Sequence, residues 1–334
     1  MGKNWGENGV FYISYEDQKV DEDIWGINEA STNIEDVIKR YKFEDLNLYE
    51  SIKDILGRTA YDYDDETLTI YAIKLAIENV GTLHLENSNI SNLKGLECFK
   101  NVRQLYLNNN NIENIDILNN FNNLVKFDLS NNNIENIEAL NIESDYEYIK
   151  VWLNNNIKDI SPLENYYMID VSGNPIQSGI DKLKNVQELD IGNCTLSNEQ
   201  LLQISNLPLL YYLGLQNDNI QDVSFLKNHD TLQTLDLSKN KELSNLNQLN
   251  NISTLNLSDC ELNDDRIDEF NLLEKLISLN LSKNNITNTE KLKNLWRVSS
   301  LDVSYTNITD VTNLSLKREL NLSGNKNLTN LDKL

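Results

Sequence analysis

Chemistry in this chain would have to come from a short stock of side chains. There are only two histidines, His84 and His229, and three cysteines, Cys98, Cys194 and Cys260. A nucleophilic triad needs a histidine base beside its nucleophile, and a histidine-rich metal site needs several imidazoles together. Two histidines, one of them expected on a back loop, argue against both. No G-x-x-x-x-G-K-[ST] phosphate loop and no dinucleotide fingerprint occurs, so no cofactor is expected. Three cysteines cannot all pair with one another, and no disulfide framework is implied. Carboxylates are the abundant group: 52 acidic against 29 basic residues, a formal charge of −23 over 334 residues. Such a balance argues against nucleic acid or an anionic membrane, whose phosphates would be repelled, and favours a protein partner with a basic patch.

The elements that position these groups are repeats. Residues 102–118 read VRQLYLNNNNIENIDIL; the phrase returns as LVKFDLSNNNIENIEAL from Leu124 and LQTLDLSKN from Leu232. Self-similarity of the form LxxLxLxxN marks a leucine-rich repeat solenoid, an α/β horseshoe lined by a parallel concave β-sheet. Twelve repeats are counted, with inward strand pairs at 83/85, 105/107, 127/129, 151/153, 169/171, 189/191, 213/215, 235/237, 255/257, 279/281, 301/303 and 320/322. A solenoid grows without the usual domain-size limit because each repeat contacts only its neighbours.

At the turn out of each strand an asparagine-type residue is expected to bond buried backbone: Asn110, Asn132, Asn156, Asn174, Asn240, Asn284 and Asn325. Cys194 and Cys260 take that place in two long repeats, where each is expected to be a small buried hydrophobe before a helical back segment. Helical spacing of Leu201, Leu202 and Ile204, and of Ile267, Phe270 and Leu273, supports those helices. Shorter repeats are expected to use extended or 3₁₀ back segments.

Upstream, residues 41–80 read as a helical N-terminal cap. Leu46, Tyr49, Ile52, Ile55 and Leu56 keep helical spacing up to Gly57, and Leu68, Ala72, Ile73, Ala76 and Ile77 form a second stripe. A cap of this kind covers the open end of the apolar core. Residues 1–40 are an extension with a strand-like stretch at Val10–Tyr15 and a helix-like stretch beginning near Ser31 or Thr32. The N-terminus has no cationic segment followed by an apolar one, and no run of 18 apolar residues occurs; a chain beginning after a removed signal would look the same.

The stretch 48–57, LYESIKDILG, followed by Glu66-Thr-Leu and LHLENSNISNLKGLECFKNV (83–102), resembles the N-terminal cap and first repeat of bacterial internalin-type proteins. Ser88, Gly95-Leu96 and Ser161-Pro162-Leu163 fit the same form. The resemblance covers about residues 44–334. It implies a bacterial secreted or surface protein that binds a host protein on its concave face, without enzymatic activity. An alternative is an intracellular scaffold resembling the short-repeat regulatory subunits of protein phosphatases, which would be cytoplasmic.

Alternation along a strand sends the residues flanking each inward position onto the concave face. The last five repeats place small polar residues there: T-D-S, T-N-S, S-N-S, S-D-S and E-N-S. The first seven carry His84, Tyr106, Lys126, Lys150, Trp152, Met168 and Tyr212. Aromatic side chains and methionine beside charges are the material of binding hot spots, and a partner-binding site centred on Tyr106 and Trp152 is expected. It extends to Asp170, Glu188 and Asp190. Trp152 lies in an irregular repeat, KVWLNNNIKDISPL, where a one-residue register shift would bury it instead. Asp170 and Asp190 on adjacent strands have the spacing of a retaining glycosidase pair. An open sheet has no pocket to raise one pKa, so attraction of a basic partner is the favoured reading, ahead of weak calcium binding and catalysis. An exposed apolar end is expected at the last repeat, where the chain could self-associate.

Overall fold

The computed structural model describes residues 42–61, 70–141, 150–153, 156–314 and 317–334. The strand-like and helix-like stretches expected within residues 1–40 lie outside them, as does Leu68.

Helix α1 (Leu46–Tyr61) and helix α2 (Ile70–Asn79) precede twelve three-residue strands. These are β1 (Thr82–His84), β2 (Gln104–Tyr106), β3 (Lys126–Asp128), β4 (Lys150–Trp152), β5 (Met168–Asp170), β6 (Glu188–Asp190), β7 (Tyr212–Gly214), β8 (Thr234–Asp236), β9 (Thr254–Asn256), β10 (Ser278–Asn280), β11 (Ser300–Asp302) and β12 (Glu319–Asn321). They form one parallel sheet in sequence order. Register runs unbroken from Leu83↔Leu105 to Leu301↔Leu320. The inward leucines, isoleucines and valines of β1–β11 whose side chains are described are at most 3% exposed. Leu320 and Leu322, the inward pair of β12, are only partly buried, and Leu331 and Leu334 beyond them are exposed.

Asp45 anchors the cap. One carboxylate oxygen accepts from the Asn47 and Leu48 amides (2.9 and 3.0 Å), capping α1. The other accepts from the Ser91 amide and hydroxyl (2.7 and 2.8 Å) and the Asn92 amide (3.2 Å). One buried side chain therefore ties helix to first repeat. Burial opposes its charge, but these hydrogen bonds prevail and hold the carboxyl below its ordinary value. Gly95, at φ +106°, lies under the Phe43 ring, where a Cβ would come within 2.3 Å of a ring carbon. That contact explains why a glycine precedes Leu96. Helix α1 does not stop at Gly57, as the C-cap reading expected, but continues to Tyr61. A helical glycine costs only about 1 kcal/mol relative to alanine, too little to end a helix whose next residues tolerate it.

The ladder is built as expected at most positions. Asn110 accepts the Ser88 and Ile90 amides at Oδ1 (3.1 and 2.9 Å) and donates Nδ2 to the Leu85 and Leu107 carbonyls (both 2.8 Å). Asn156 is a correction: it is exposed, and its backbone amide bonds the Ile134 carbonyl, as Asn133 bonds Ile112 one repeat earlier. The turn is one residue shorter than in its neighbours, so Asn156 falls one place past the ladder position.

Back segments are mostly short 3₁₀ turns, such as Leu96–Cys98 and Ser161–Leu163. Helix α3 (Asn198–Ile204) follows Cys194, with a capping box between Ser197 and Gln200. Its Leu202 points outward, 58% exposed, while Leu201 and Ile204 are buried. The segment after Cys260 differs from expectation: Asp264–Leu272 is 3₁₀, not α. Ile267, Phe270 and Leu273 are each buried and three residues apart, so three residues per turn aligns them on the core. A short helix α4 (Thr289–Leu292), capped by Asn288, was not anticipated.

Candidate functional site on the concave face

The strand register sets one column across the concave face: His84, Tyr106, Asp128, Trp152, Asp170, Asp190, Gly214, Asp236, Asn256, Asn280, Asp302 and Asn321. The column before it runs Gln104, Lys126, Lys150, Met168, Glu188, Tyr212. Every residue expected on this face is there, although the side chain of Lys150 lies outside the described residues. Trp152 is half-buried and Leu153 is buried, so the register that keeps Trp152 on the concave side holds.

Asp and Asn in the central column have a backbone task. Asp236 Oδ1 accepts from the Ser238 amide (2.8 Å), Asn280 Oδ1 from Ser282 (2.9 Å) and Asp302 Oδ1 from Ser304 (2.8 Å). The same bond to the amide two residues on is made by Asp128, Asp170, Asp190, Asn256 and Asn321. Each stops the strand by satisfying the first amide of the exit turn. Adjacent members also join sideways: Asn256 Nδ2 donates to Asp236 Oδ2 (2.9 Å) and Asn321 Nδ2 to Asp302 Oδ2 (2.8 Å). Small polar triplets in the later repeats are therefore a structural consensus.

His84, Tyr106 and Trp152 depart from that task. The His84 and Tyr106 rings stack with centroids 4.8 Å apart and planes 6° from parallel. Lys126, one strand on, lies between two rings: its ammonium is 5.3 Å from the Tyr106 centroid and 5.2 Å from the Trp152 centroid. Each distance is within the range of a cation–π attraction. Four side chains from four consecutive strands thus form one continuous stack. Tyr106 donates its hydroxyl to Gln104 Oε1 (3.1 Å), and His84 Nδ1 faces Glu86 Oε1 (3.3 Å). The outward placement of each residue could be read from alternation; the lysine bridging two aromatics could not, because it depends on neighbouring rotamers.

Next to the stack the face turns acidic. Met168 and Glu188 are half-buried beside Asp170 and Asp190. Asp190 leans over Gly214, whose missing side chain leaves it room, and accepts from Gln216 Nε2 (2.8 Å). Burial, then the Asp170 carboxylate, raise the Asp190 carboxyl above its ordinary range. Burial and the Asp190, Asp236, Asp170 and Glu188 carboxylates likewise raise the Tyr212 phenol. The region is thus a field of negative potential on an open surface. Asp170 and Asp190 each give an oxygen to a strand-exit amide, which fits structure better than a glycosidase pair.

The remaining candidates for chemistry are turned inward. Cys194 and Cys260 are buried, with their thiols toward the Val171 and Leu237 carbonyls (3.4 and 3.3 Å). Burial pushes both thiols up to about 12, far from the thiolate a nucleophile requires. Burial lowers the His229 pKa, favouring the neutral ring. Among the described residues no group of three His, Cys, Asp or Glu is placed to hold a metal, and no helix is long and apolar enough to cross a membrane. Sequence reading missed Asp218 at the ladder position of the seventh repeat; its spacing to Ile220, the same as Asn110 to Ile112, was the available signal.

The family model described as Leucine Rich repeats (2 copies) matches residues 100–142. No curated protein matches the chain in sequence. Among solved structures, an internalin (inlF) from Listeria monocytogenes aligns over 86% of this chain and 84% of its own, with a TM-score of 0.64 and 24% identity. The functional domain of InlJ from the same organism, described as including a cysteine ladder, aligns over 88% of this chain and 72% of its own, with a TM-score of 0.50 and 17% identity. In fold, the chain is an internalin-type leucine-rich repeat solenoid.

Proposed function

We propose that this chain is a non-enzymatic module that holds a partner protein on its concave face, in the manner of a secreted or surface-displayed bacterial internalin. The observation that carries this reading is the His84–Tyr106–Lys126–Trp152 stack, in a column whose other members mostly cap strand exits. Aromatic side chains on a rigid sheet give contact area at little entropic cost, which is what a hot spot needs. The stack is the apolar anchor of the site. Met168, Asp170, Glu188, Asp190 and Tyr212 continue it and attract a partner with a basic patch through long-range complementarity. Lys150 extends the site on β4.

The test of the main reading is affinity capture with the natural chain and a Tyr106→Ala/Trp152→Ala variant as paired baits, followed by mass spectrometry. A protein held by the first and lost by the second is expected. The same proteins on both baits would exclude the stack as the binding centre.

A further inference from the structure

Each of the other ladder residues whose bonds are described brings a hydrogen to a backbone carbonyl. The amides of Asn110, Asn132, Asn174, Asn240, Asn284 and Asn325 do so, as do the thiols of Cys194 and Cys260 and the Thr306 hydroxyl. Asp218 occupies the same position in the seventh repeat and has no such hydrogen when ionised. Its Oδ1 plays the usual acceptor part, taking the Cys194 amide (2.7 Å) and the Thr195 amide (2.8 Å). Its Oδ2 therefore stands where an asparagine presents its amide, and that oxygen is buried with no hydrogen-bond partner. The residue is 5% exposed, and that oxygen is shut off from bulk solvent. In Asn240, one repeat on, the equivalent atom donates to the Leu215 and Leu237 carbonyls (2.7 and 3.0 Å).

We infer that the joint between the sixth and seventh repeats is a proton-controlled element: the ladder closes there only when Asp218 carries a proton on Oδ2. An ionised carboxylate would set one acceptor against the strand-end carbonyls, whereas the acid form supplies the donor that asparagine supplies elsewhere. Burial pushes this carboxyl up to about 6, against the Thr195, Cys194 and Asn193 amides, which favour the anion. Of the groups around it, Asp190 in the preceding repeat adds repulsion and the Cys194 thiol is uncharged. The following repeat presents the neutral Asn240, whose Oδ1 accepts the Asp218 amide (3.0 Å). A carboxyl raised in the folded state contributes stability that is fully present below its ordinary pKa. That contribution is lost as pH rises through the folded value. The acidic half of the concave face thus rests on a joint that tightens on mild acidification. This inference concerns the chain itself and does not depend on the partner-binding reading.

Thermal unfolding of the full chain and of Asp218→Asn, at about pH 8 and about pH 5, tests it. Asparagine supplies the donor at every pH, so the variant should melt several degrees higher than the natural chain at the higher pH, with a clearly smaller gain at the lower one. Asp190 and the other carboxylates are common to both proteins, and their titration largely cancels. A gain equal at both pH values, or a loss at the higher one, overturns the inference. Should the variant fold poorly, carbon-13 carboxyl resonances of the natural chain give the same answer. An Asp218 midpoint near that of an ordinary aspartate, about 3.9, overturns the inference, and one about two units higher supports it.

Discussion

One column of one sheet serves two ends. In β8–β12 the central residues are Asp236, Asn256, Asn280, Asp302 and Asn321, and each folds its side chain back onto the amide two residues on. In β1, β2 and β4 the same position holds His84, Tyr106 and Trp152; His84 instead stacks on Tyr106, and Tyr106 and Trp152 flank Lys126. Backbone geometry and register are the same in both regions. A solenoid tolerates this exchange because each repeat is stabilised by its own core and its neighbours, so a strand-exit bond can be given up locally. The contrast teaches where to look for function in a repeat array: at positions where the consensus task has been dropped.

The ladder is the reference both regions share. Asn110→Ala and Asn240→Ala would each strand buried amides and carbonyls in two repeats, costing about 3 kcal/mol or more, with similar losses in both halves. Denaturant melts of the two variants measure this; a loss confined to one half would mean the halves differ in scaffold and not only in surface. A smaller effect is expected from Asp302→Ala, which removes one amide bond and one sideways bond and should lower stability by about 1 kcal/mol. Tyr106→Ala, by contrast, has no strand-exit bond to lose, and urea titration should show a change smaller than for Asp302→Ala. An effect on binding and not on folding is expected from Lys126→Met, which keeps the packing of the stem and removes only the ammonium between the rings. Partner affinity should fall by about 1 kcal/mol at low salt.

Much of this was legible in the sequence, for reasons of period. Alternation places Leu105 and Leu107 inward and Tyr106 outward, and nothing in the tertiary structure competes with that. What was hidden depended on contacts distant in sequence or on a local count. Asp45 meets Ser91 and Asn92 across the cap, a contact no helical or strand period announces. Asn156 lies off the ladder because its turn is one residue short, a local count that the repeat period does not show. Asp218 escaped notice because an aspartate is a poor ladder residue unless its proton is retained. The Asp264–Leu272 segment reads as α from its sequence because three- and four-residue spacings look alike over so short a run.

Asp45 also separates the cap from the face in pH terms. Its lowered carboxyl contributes stability above its ordinary pKa, lost as pH falls through the depressed folded value. The cap should therefore hold at about pH 4, where a free aspartate is half protonated, and loosen only at stronger acid. Circular dichroism at the helical band during acid titration follows it; helix lost before the ordinary carboxylate range is reached would contradict the assignment.

The most direct measurement is the affinity of the captured partner for Trp152→Ala and Asn280→Ala side by side, by titration calorimetry at one salt concentration. Both positions lie in the same column, and both substitutions truncate to the same methyl. Loss of about 2 kcal/mol or more for Trp152→Ala with none for Asn280→Ala is what a stack-centred site predicts. Equal losses, or a loss confined to Asn280→Ala, would contradict it.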